Sequence, residues 1–308
     1  AQLGCTHLII HLANYYTKEI VTATDTRKNY GEAEQEDSIW SEAHLRELQE
    51  MAARHHLSIA GIENFNPADW YDVLLAGPRR DAQLEHLCSI IKTVGKVGIP
   101  SFVFFDASTL DIDAPVPNGQ IWNMTYDEHA APGFLPSISS DELWARLKYF
   151  LDAVLPVAEA SGVELALHPD DPPMPRLRGT PRLVYEPRLY QKLLDLHKSP
   201  SNKIEFCMGS IQEMSEGSLY EAIRQYARSI SYIHFRNVRG KVPSYDEVFV
   251  DEGDIDMVKA LRLLRENGFH GVLIPDHTPF VTATNDGWHT GMAFALGYMR
   301  AALTCIGG

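Results

Sequence analysis

Seven short apolar runs alternate with longer amphipathic segments along this chain, and this alternation restricts the fold more than any other feature of the sequence. The apolar runs begin near residues 7, 57, 101, 163, 203, 231 and 271. They are of strand length and apolar on both faces, as in "SFVFFD", whereas the segments between them have helix length, as in "SEAHLRELQEMAARHH". Such a pattern predicts parallel strands that are covered by helices.

Glycines mark the ends of three predicted helices. Gly98, Gly162 and Gly268 stand just before predicted strands, where a left-handed glycine commonly closes a helix. Seven consecutive βα units without a Gly-rich phosphate fingerprint favour an α/β fold of the (β/α)₈ TIM-barrel type over an open doubly wound sheet. Because the opening "AQLG" resembles the last turn and glycine cap of a helix, we expect a first βα unit to precede residue 1.

The whole chain, residues 1–308, is predicted to form a single barrel domain. Segments without a hydrophobic period are predicted to be long loops on the active-site side, at about 107–140, 169–185 and 239–254. The last segment contains "DEGDIDM", which lacks the twelve-residue spacing of a calcium-binding EF-hand. We predict that Asp254 instead caps the helix that follows.

Charge and cysteine usage exclude several classes of protein. With 41 acidic and 27 basic side chains the formal net charge is −14, so neither nucleic acid nor an anionic membrane is an expected partner. The apolar runs are much shorter than the roughly 20 residues that cross a bilayer. The four cysteines show no CxxC spacing, which argues against a disulfide framework and favours a reducing, cytoplasmic location.

Four predicted strands carry a metal-binding side chain at or next to their C-terminal ends. These side chains are His168, Cys207, His234 and Asp276. Taken singly, a buried cysteine or histidine is more often an inert or hydrogen-bonded core residue than a ligand. However, the carboxyl ends of barrel strands meet at one mouth, so the four residues together predict a site for a divalent transition ion.

Polar side chains follow the same strand ends and suit an oxygen-rich anion. Arginine offers a bidentate fork for a carboxylate, and a metal ion can hold an α-hydroxy acid through its carboxylate and hydroxyl oxygens. Such binding acidifies the proton next to the carboxylate. The flanking candidates are Asp170, Asp171, Arg176, Arg178, Arg236, Asn237 and His277.

Several longer segments resemble signature blocks of the mannonate dehydratase family, one of the xylose-isomerase-like barrels. They are "ALHPDDPPMPRLRG", "FCMGSIQEM", "HFRNVRGKVPSYDEVFVDEGDIDM" and "PDHTP". The likeness runs from "GIENF" to "GYM" and thus covers nearly the whole chain. It implies a (β/α)₈ barrel with a divalent ion, typically Mn²⁺, with Fe²⁺ or Co²⁺ as alternatives. The reaction it implies is the dehydration of D-mannonate, a small-molecule sugar acid, to 2-keto-3-deoxy-D-gluconate.

The resemblance also implies roles for individual residues. The metal ligands of the family fall on the four strand-end residues, and its catalytic histidine falls on His277. Arg236 and Asn237 would bind the sugar acid, with Asp170 and Arg178 as further candidates. In the β-elimination that the family catalyses, His277 can serve as the acid or the base because imidazole titrates near neutrality.

The chain departs from the family pattern after the "PDH" block. Trp288 stands where the family usually carries a tyrosine that is implicated in proton transfer, and Met292 stands in place of an arginine. Since tryptophan cannot act as an acid or base, His289 is a candidate catalytic substitute. Three readings stay open: a sugar-acid dehydratase, an isomerase or epimerase on the same metal-dependent barrel, and a sugar-acid binder without catalysis. Assembly into a homo-oligomer is open as well.

Overall fold

The strands of the structure account for every predicted apolar run. The computed structural model describes residues 1–12, 37–104, 116–118, 121–123, 138–177, 180–282 and 287–307. In chain order the strands are β1 (His7–His11), β2 (Ser58–Glu63), β3 (Ser101–Phe104), β4 (Val116–Asn118), β5 (Ile121–Asn123), β6 (Glu164–Leu167), β7 (Arg176–Leu177), β8 (Thr180–Pro181), β9 (Asn202–Cys207), β10 (Ile230–His234), β11 (Asn237–Lys241), β12 (Ser244–Val248) and β13 (Val272–Ile274).

Seven of these strands form one parallel sheet in the order β1-β2-β3-β6-β9-β10-β13. The sequential order and the parallel direction are those of a (β/α)₈ barrel, so the predicted fold class is confirmed. Within the described residues β1 and β13 are the two edges of the sheet and are not hydrogen-bonded to each other. The predicted eighth strand is not among the described residues.

Helices connect and cover the strands. They are α1 (Glu42–Ala53), α2 (Pro67–Leu75), α3 (Arg80–Val97), α4 (Ser140–Ser161), α5 (Leu189–Leu196), α6 (Met208–Glu213), α7 (Leu219–Tyr226), α8 (Met257–Glu266) and α9 (Gly287–Cys305). No helix in the part of the chain that the structure describes is long and apolar enough to span a membrane.

The helix ends follow the capping rules, with one error in our prediction. Gly98, Gly162 and Gly268 have φ angles of 79°, 67° and 85°, as expected for left-handed residues at helix ends. Asp254 was the wrong choice of cap for α8, because the Asp256 carboxylate accepts the backbone N–H of Lys259 at 2.9 Å. The carboxylate of Asp254 instead accepts the N–H of Gly240 at 2.8 Å.

The core lies mainly between the sheet and its helices. Leu87 and Ile91 of α3, together with Leu151 and Val154 of α4, are fully buried in one cluster with Phe102 of β3. Burying each such side chain contributes roughly 1.5–3 kcal/mol. A second, smaller cluster fills the space enclosed by the strands and consists of Val103, Ala166 and Tyr232, with Ile9, Val272 and Ile274 packed against it. The sheet thus has an apolar interior beneath the C-terminal ends of its strands.

The three predicted loops carry short antiparallel hairpins. Residues 107–140 lie largely outside the described residues, apart from β4 and β5. The segment 169–185 contains β7 and β8, and the segment 239–254 contains most of the hairpin formed by β11 and β12. That these segments and the whole chain form one domain stays a prediction.

Candidate metal centre

Three of the four predicted metal ligands lie together at the C-terminal ends of adjacent strands. Cys207 at the end of β9 pairs in register with His234 at the end of β10. His168 follows β6, the strand on the other side of β9. Nitrogen and sulfur atoms of the three side chains that can bind metal lie within 4.8 Å of one another. The sequence prediction that these residues converge therefore agrees with the geometry.

Asp276 brings a carboxylate from a fourth strand. It follows β13, and its Oδ2 atom lies 3.2 Å from Nδ1 of His234. Its backbone is left-handed with φ 65°, a conformation that is uncommon outside glycine and that aspartate tolerates better than most residues. Strained backbone of this kind clusters at functional sites. Nearby cationic groups, above all His234, hold the pKa of Asp276 below its ordinary value although burial would raise it.

Two of the predicted ligands, His168 and Cys207, are in a state that suits metal binding. Nδ1 of His168 donates to the carbonyl oxygen of Pro169 at 2.6 Å, so in the neutral ring Nε2 carries the lone pair. Cys207 is fully buried, which alone would raise the pKa of its thiol. The positive charge of Arg236 and the neighbouring imidazoles of His168 and His234 nevertheless hold that pKa well below the ordinary value. The thiolate is the form that binds metal.

One buried nitrogen at this place has no hydrogen bond to any described residue. It is Nδ1 of His234, a side chain that is only 4% exposed. A buried polar atom without a partner is costly unless a metal or another group satisfies it. Two imidazoles, a thiolate and a carboxylate form a donor set that suits a divalent transition ion. The structure therefore contains a group of side chains that can hold a divalent metal.

Arg236 lies buried among carboxylates beside the centre. Its guanidinium donates to Glu213 at 2.7 Å and to the hydroxyl of Ser210 at 2.9 Å, and it pairs with Asp171 and, at 3.2 Å, with Glu247. Burial and the neighbouring acidic groups Asp171 and Glu247 raise the pKa of Glu213 well above its ordinary value, although Arg236 lowers it. Protein groups thus occupy the terminal nitrogens of Arg236, and its predicted contact with substrate stays a prediction.

Asn237 and Asp170, two other predicted substrate-binding residues, form hydrogen bonds with the protein backbone. The amide of Asn237 donates to the carbonyl groups of Val250 and Ile255 and accepts the N–H groups of Val238 and Ile255. These four bonds use the whole hydrogen-bonding capacity of the amide.

Asp170 is similarly occupied. Its carboxylate accepts the N–H groups of Leu183 and Val184 and pairs with Arg182 at 2.7 Å. The geometry therefore favours roles for Asn237 and Asp170 in shaping the adjoining segments of chain. Arg178, the fourth predicted substrate-binding residue, lies outside the described residues.

His277 lies beside the candidate metal centre and contacts two carboxylates. Its Nδ1 lies 2.9 Å from Glu247, and its Nε2 lies 3.3 Å from Asp276. Burial would lower the pKa of His277, but the negative charges of Asp276 and Glu247 raise it to about 9. The predicted catalytic histidine is thus partly exposed and oriented by a carboxylate, an arrangement that suits proton transfer.

The departure from the family pattern lies at the start of α9. Trp288 and Met292 line a cavity of about 700 Å³ between β1, β13 and α9, and Asp276 and Glu63 line the same cavity. His289 is exposed, and its ring lies edge-on to that of Trp288 with 4.9 Å between centroids. The side chain of His289 therefore lies next to the cavity wall, and its predicted catalytic role stays a prediction.

Sequence reasoning missed several carboxylates of this site. Glu63 and Glu205 contact His234, and Glu247 contacts His277. The position of Glu205 could have been predicted from the sequence. It stands two residues before Cys207 on a strand, and its side chain therefore lies on the same face of the sheet as that of Cys207. Tyr245, whose hydroxyl donates to Asp171 at 3.0 Å, and Glu247 come from the hairpin formed by β11 and β12 and could not be predicted in this way.

Comparisons with known proteins point in the same direction as the geometry. The family model of D-mannonate dehydratase (UxuA) matches residues 133–303. The mannonate dehydratase of Streptococcus equi subsp. zooepidemicus is 30% identical over 275 residues, which are 77% of this chain and 74% of that protein. Mannonate dehydratase 1 of Halalkalibacterium halodurans is 30% identical over 281 residues, with 78% and 77% covered.

Solved structures extend the comparison to the fold. The crystal structure of mannonate dehydratase from Streptococcus suis serotype 2 superposes with a TM-score of 0.75 at 26% identity, covering 99% of this chain and 95% of that one. A xylose isomerase domain protein from Planctomyces limnophilus superposes with a TM-score of 0.59 at 16% identity, covering 98% of both chains. The second likeness shows only that the barrel fold is shared.

Proposed function

Because the chain belongs to the mannonate dehydratase family, we propose that it removes water from D-mannonate in a metal-dependent reaction that yields 2-keto-3-deoxy-D-gluconate. The observation that carries this proposal is the convergence of His168, Cys207 and His234, with Asp276 beside them, at the C-terminal ends of the strands. This face of a barrel is where the chemistry of such enzymes takes place.

In this proposal His168, Cys207, His234 and Asp276 hold the divalent ion. When bound, the ion would act as a Lewis acid, which neutralises the charge of the substrate carboxylate and acidifies the adjacent C2–H group. The resemblance to the family implies Mn²⁺, and the imidazole and thiolate donors also suit Fe²⁺ or Co²⁺. The proposal places the enzyme in the cytoplasm, because a reducing compartment keeps the thiol of Cys207 available.

Two proton transfers complete the reaction. We assign to His277 the proton that the C3 hydroxyl needs to leave as water, since Asp276 and Glu247 favour the protonated form of its ring. We assign to His289 the removal of the C2 proton, because Trp288 offers no acid–base group. The enol that results tautomerises to the 2-keto acid. Arg236 sustains the thiolate form of Cys207 through its positive charge.

A direct assay tests the proposal. The purified protein is stripped with a chelator, reloaded with Mn²⁺, Fe²⁺ or Co²⁺, and incubated with D-mannonate. We expect a 2-keto-3-deoxy acid to accumulate only in the metal-loaded samples. Conversion of D-mannonate to an isomer that keeps the C3 hydroxyl would instead identify an isomerase or epimerase, and tight binding of D-mannonate without turnover would identify a binder.

A further inference from the structure

Two buried glutamates face the side of His234 that lies away from Asp276. Glu63 ends β2 and is 5% exposed, and Glu205 lies in β9 and is 1% exposed. Glu205 stands two residues before Cys207, so both side chains face the enclosed side of the sheet. Neither glutamate belongs to the ligand set proposed above.

Both carboxylates contact the same ring nitrogen. Nε2 of His234 lies 2.7 Å from Oε1 of Glu63 and 2.6 Å from Oε1 of Glu205. Glu63 is itself held, because its Oε1 accepts the hydroxyl of Tyr232 at 2.6 Å and its other oxygen contacts Nε2 of His11. Glu205 and Tyr232 are register partners on neighbouring strands, and each stands two residues before the partners Cys207 and His234.

This arrangement decides which edge of the imidazole is available to a metal. An ionised carboxylate only accepts hydrogen bonds, so the Nε2 atom beside Glu63 carries the proton. In the neutral ring the lone pair then resides on Nδ1. That atom is buried, lies 3.2 Å from Asp276 and makes no well-aligned hydrogen bond to any described residue.

We infer that Glu63 and Glu205 are positioning residues, which hold Nε2 of His234 so that Nδ1 faces the metal ion. This inference rests on the metal-dependent function proposed above. Carboxylates that accept the second N–H of a ligand histidine fix its tautomer and ring orientation and increase its basicity. The pair acts through His234 and does not touch the ion.

Glu63 accepts the N–H of His234, and Glu205 places a second carboxylate beside the same nitrogen. Glu63 comes from β2 and Glu205 from β9, so a rotation of the His234 ring would break contacts with two separate strands. The rotation would also place a carbon atom between two carboxylates. The register of β9 and β10 therefore fixes the imidazole together with Cys207, the neighbouring ligand.

The first test uses the wild-type protein. A crystal structure with Mn²⁺ bound, with the ion located by its anomalous signal, shows which nitrogen of His234 is nearest the metal. We expect Nδ1 at the metal and Nε2 within hydrogen-bond distance of Glu63 or Glu205. Binding through Nε2 would overturn the inference while leaving the proposed dehydration intact.

The second test uses Glu63→Gln and Glu205→Gln, which keep the volume of each side chain and remove its charge. The Kd for Mn²⁺, measured without substrate from the EPR signal of free Mn²⁺, should increase by about 10- to 100-fold in either variant. Glu164→Gln is the matched control, because Glu164 begins β6 at the opposite end of the sheet and bonds Ser231 at 2.6 Å. Equal Kd values in all three variants and the wild type would overturn the inference.

Stability separates this role from a purely structural one. Neither oxygen of Glu205 makes a well-aligned hydrogen bond to a described residue, so Glu205→Gln should leave the thermal unfolding of the metal-free protein unchanged or slightly raise its Tm. A marked fall in Tm together with an unchanged Kd would show that Glu205 is structural. If the wild type binds no Mn²⁺ at all, the proposed function fails and the inference fails with it.

Discussion

Nδ1 of His277 lies 2.9 Å from a carboxylate oxygen of Glu247, so a residue of the β11–β12 hairpin orients the histidine that follows Asp276, a proposed metal ligand. The hairpin also brings Tyr245 to Asp171, which pairs with Arg236. A surface element thereby reaches two of the groups that surround the candidate metal centre.

The Glu247→Gln variant should lower the pKa of His277. In the metal-free wild type that pKa is about 9, and the charge of Glu247 is one of the causes that raise it. We expect a fall of about one unit or more, measured by NMR titration of the imidazole protons in the metal-free protein. Asp246→Asn is the control, since Asp246 is exposed on the same strand and faces the other side. Equal pKa values in both variants would contradict the assignment of Glu247.

The same shift predicts how stability depends on pH. The pKa of His277 is higher in the folded chain than the ordinary value of about 6.5, so the protonated ring stabilises the fold. That contribution is fully present below about pH 6.5 and is lost as the pH rises towards 9. Urea unfolding of the metal-free protein between pH 6 and pH 9.5 should show this loss, and Glu247→Gln should reduce it. A Glu247→Gln variant with an unchanged pH dependence would contradict the prediction.

The Gly209→Ala variant should damage the centre through Arg236. A Cβ atom at Gly209 would overlap the guanidinium of Arg236, which must move because the backbone of α6 cannot. We expect the Kd for Mn²⁺ to increase about tenfold, because displaced positive charge no longer stabilises the Cys207 thiolate. Gly297→Ala in α9 is the control, since a Cβ there meets no atom within 4 Å.

The control has its own expected result. Replacing a helical glycine by alanine in open space should leave metal binding unchanged and raise the free energy of unfolding by roughly 0.5–1 kcal/mol. An increase in Kd for Gly297→Ala as large as that for Gly209→Ala would show that the effect does not pass through Arg236.

Removing the charge of Arg236 should have two measurable effects. In Arg236→Gln several buried carboxylates lose their cationic partner, which should destabilise the fold by about 3–5 kcal/mol. The pKa of the Cys207 thiol should rise, as measured by thiolate absorbance in the metal-free protein. Arg239→Gln, at an exposed position of β11, should change neither quantity. An unchanged thiol pKa in Arg236→Gln would contradict this account.

The His289→Gln variant tests the assignment of the second proton transfer. A lost acid–base group should lower kcat by about 100-fold or more and leave the Kd for Mn²⁺ unchanged. His55→Gln, at an exposed position two residues after α1, is the control. If His289→Gln retains full kcat, another group removes the C2 proton.

The sequence predicted those parts of the site that depend on strand periodicity. His168, Cys207 and His234 could be found because each stands at the end of a predicted strand, and parallel strands of a barrel bring their ends together. The glycine helix ends followed from a local rule of backbone conformation in the same way. Asp254 and Asp256 both precede the helix and carry the same side chain, and only the position at which α8 begins identifies Asp256 as its cap.

The rest of the site depends on contacts between separate helices and strands, which the hydrophobic periodicity of the sequence does not predict. Glu63 looks like an ordinary polar strand end until β2, β9 and β10 enclose it beside His234. Glu247 reaches His277 only because a hairpin folds back over the mouth of the barrel. The amide of Asn237 bonds the backbone of Val238, Val250 and Ile255, and its contact with substrate stays a prediction.

We propose above that the cluster around Cys207 holds the metal that dehydration requires. The most direct measurement compares Cys207→Ala with Cys88→Ala, a partly buried cysteine of α3, in samples reloaded with Mn²⁺ and given D-mannonate. Bound metal and released 2-keto-3-deoxy acid are measured in the same samples. We expect Cys88→Ala to keep both and Cys207→Ala to lose both. Full turnover in Cys207→Ala, or bound Mn²⁺ in the wild type without any product, would contradict this proposal.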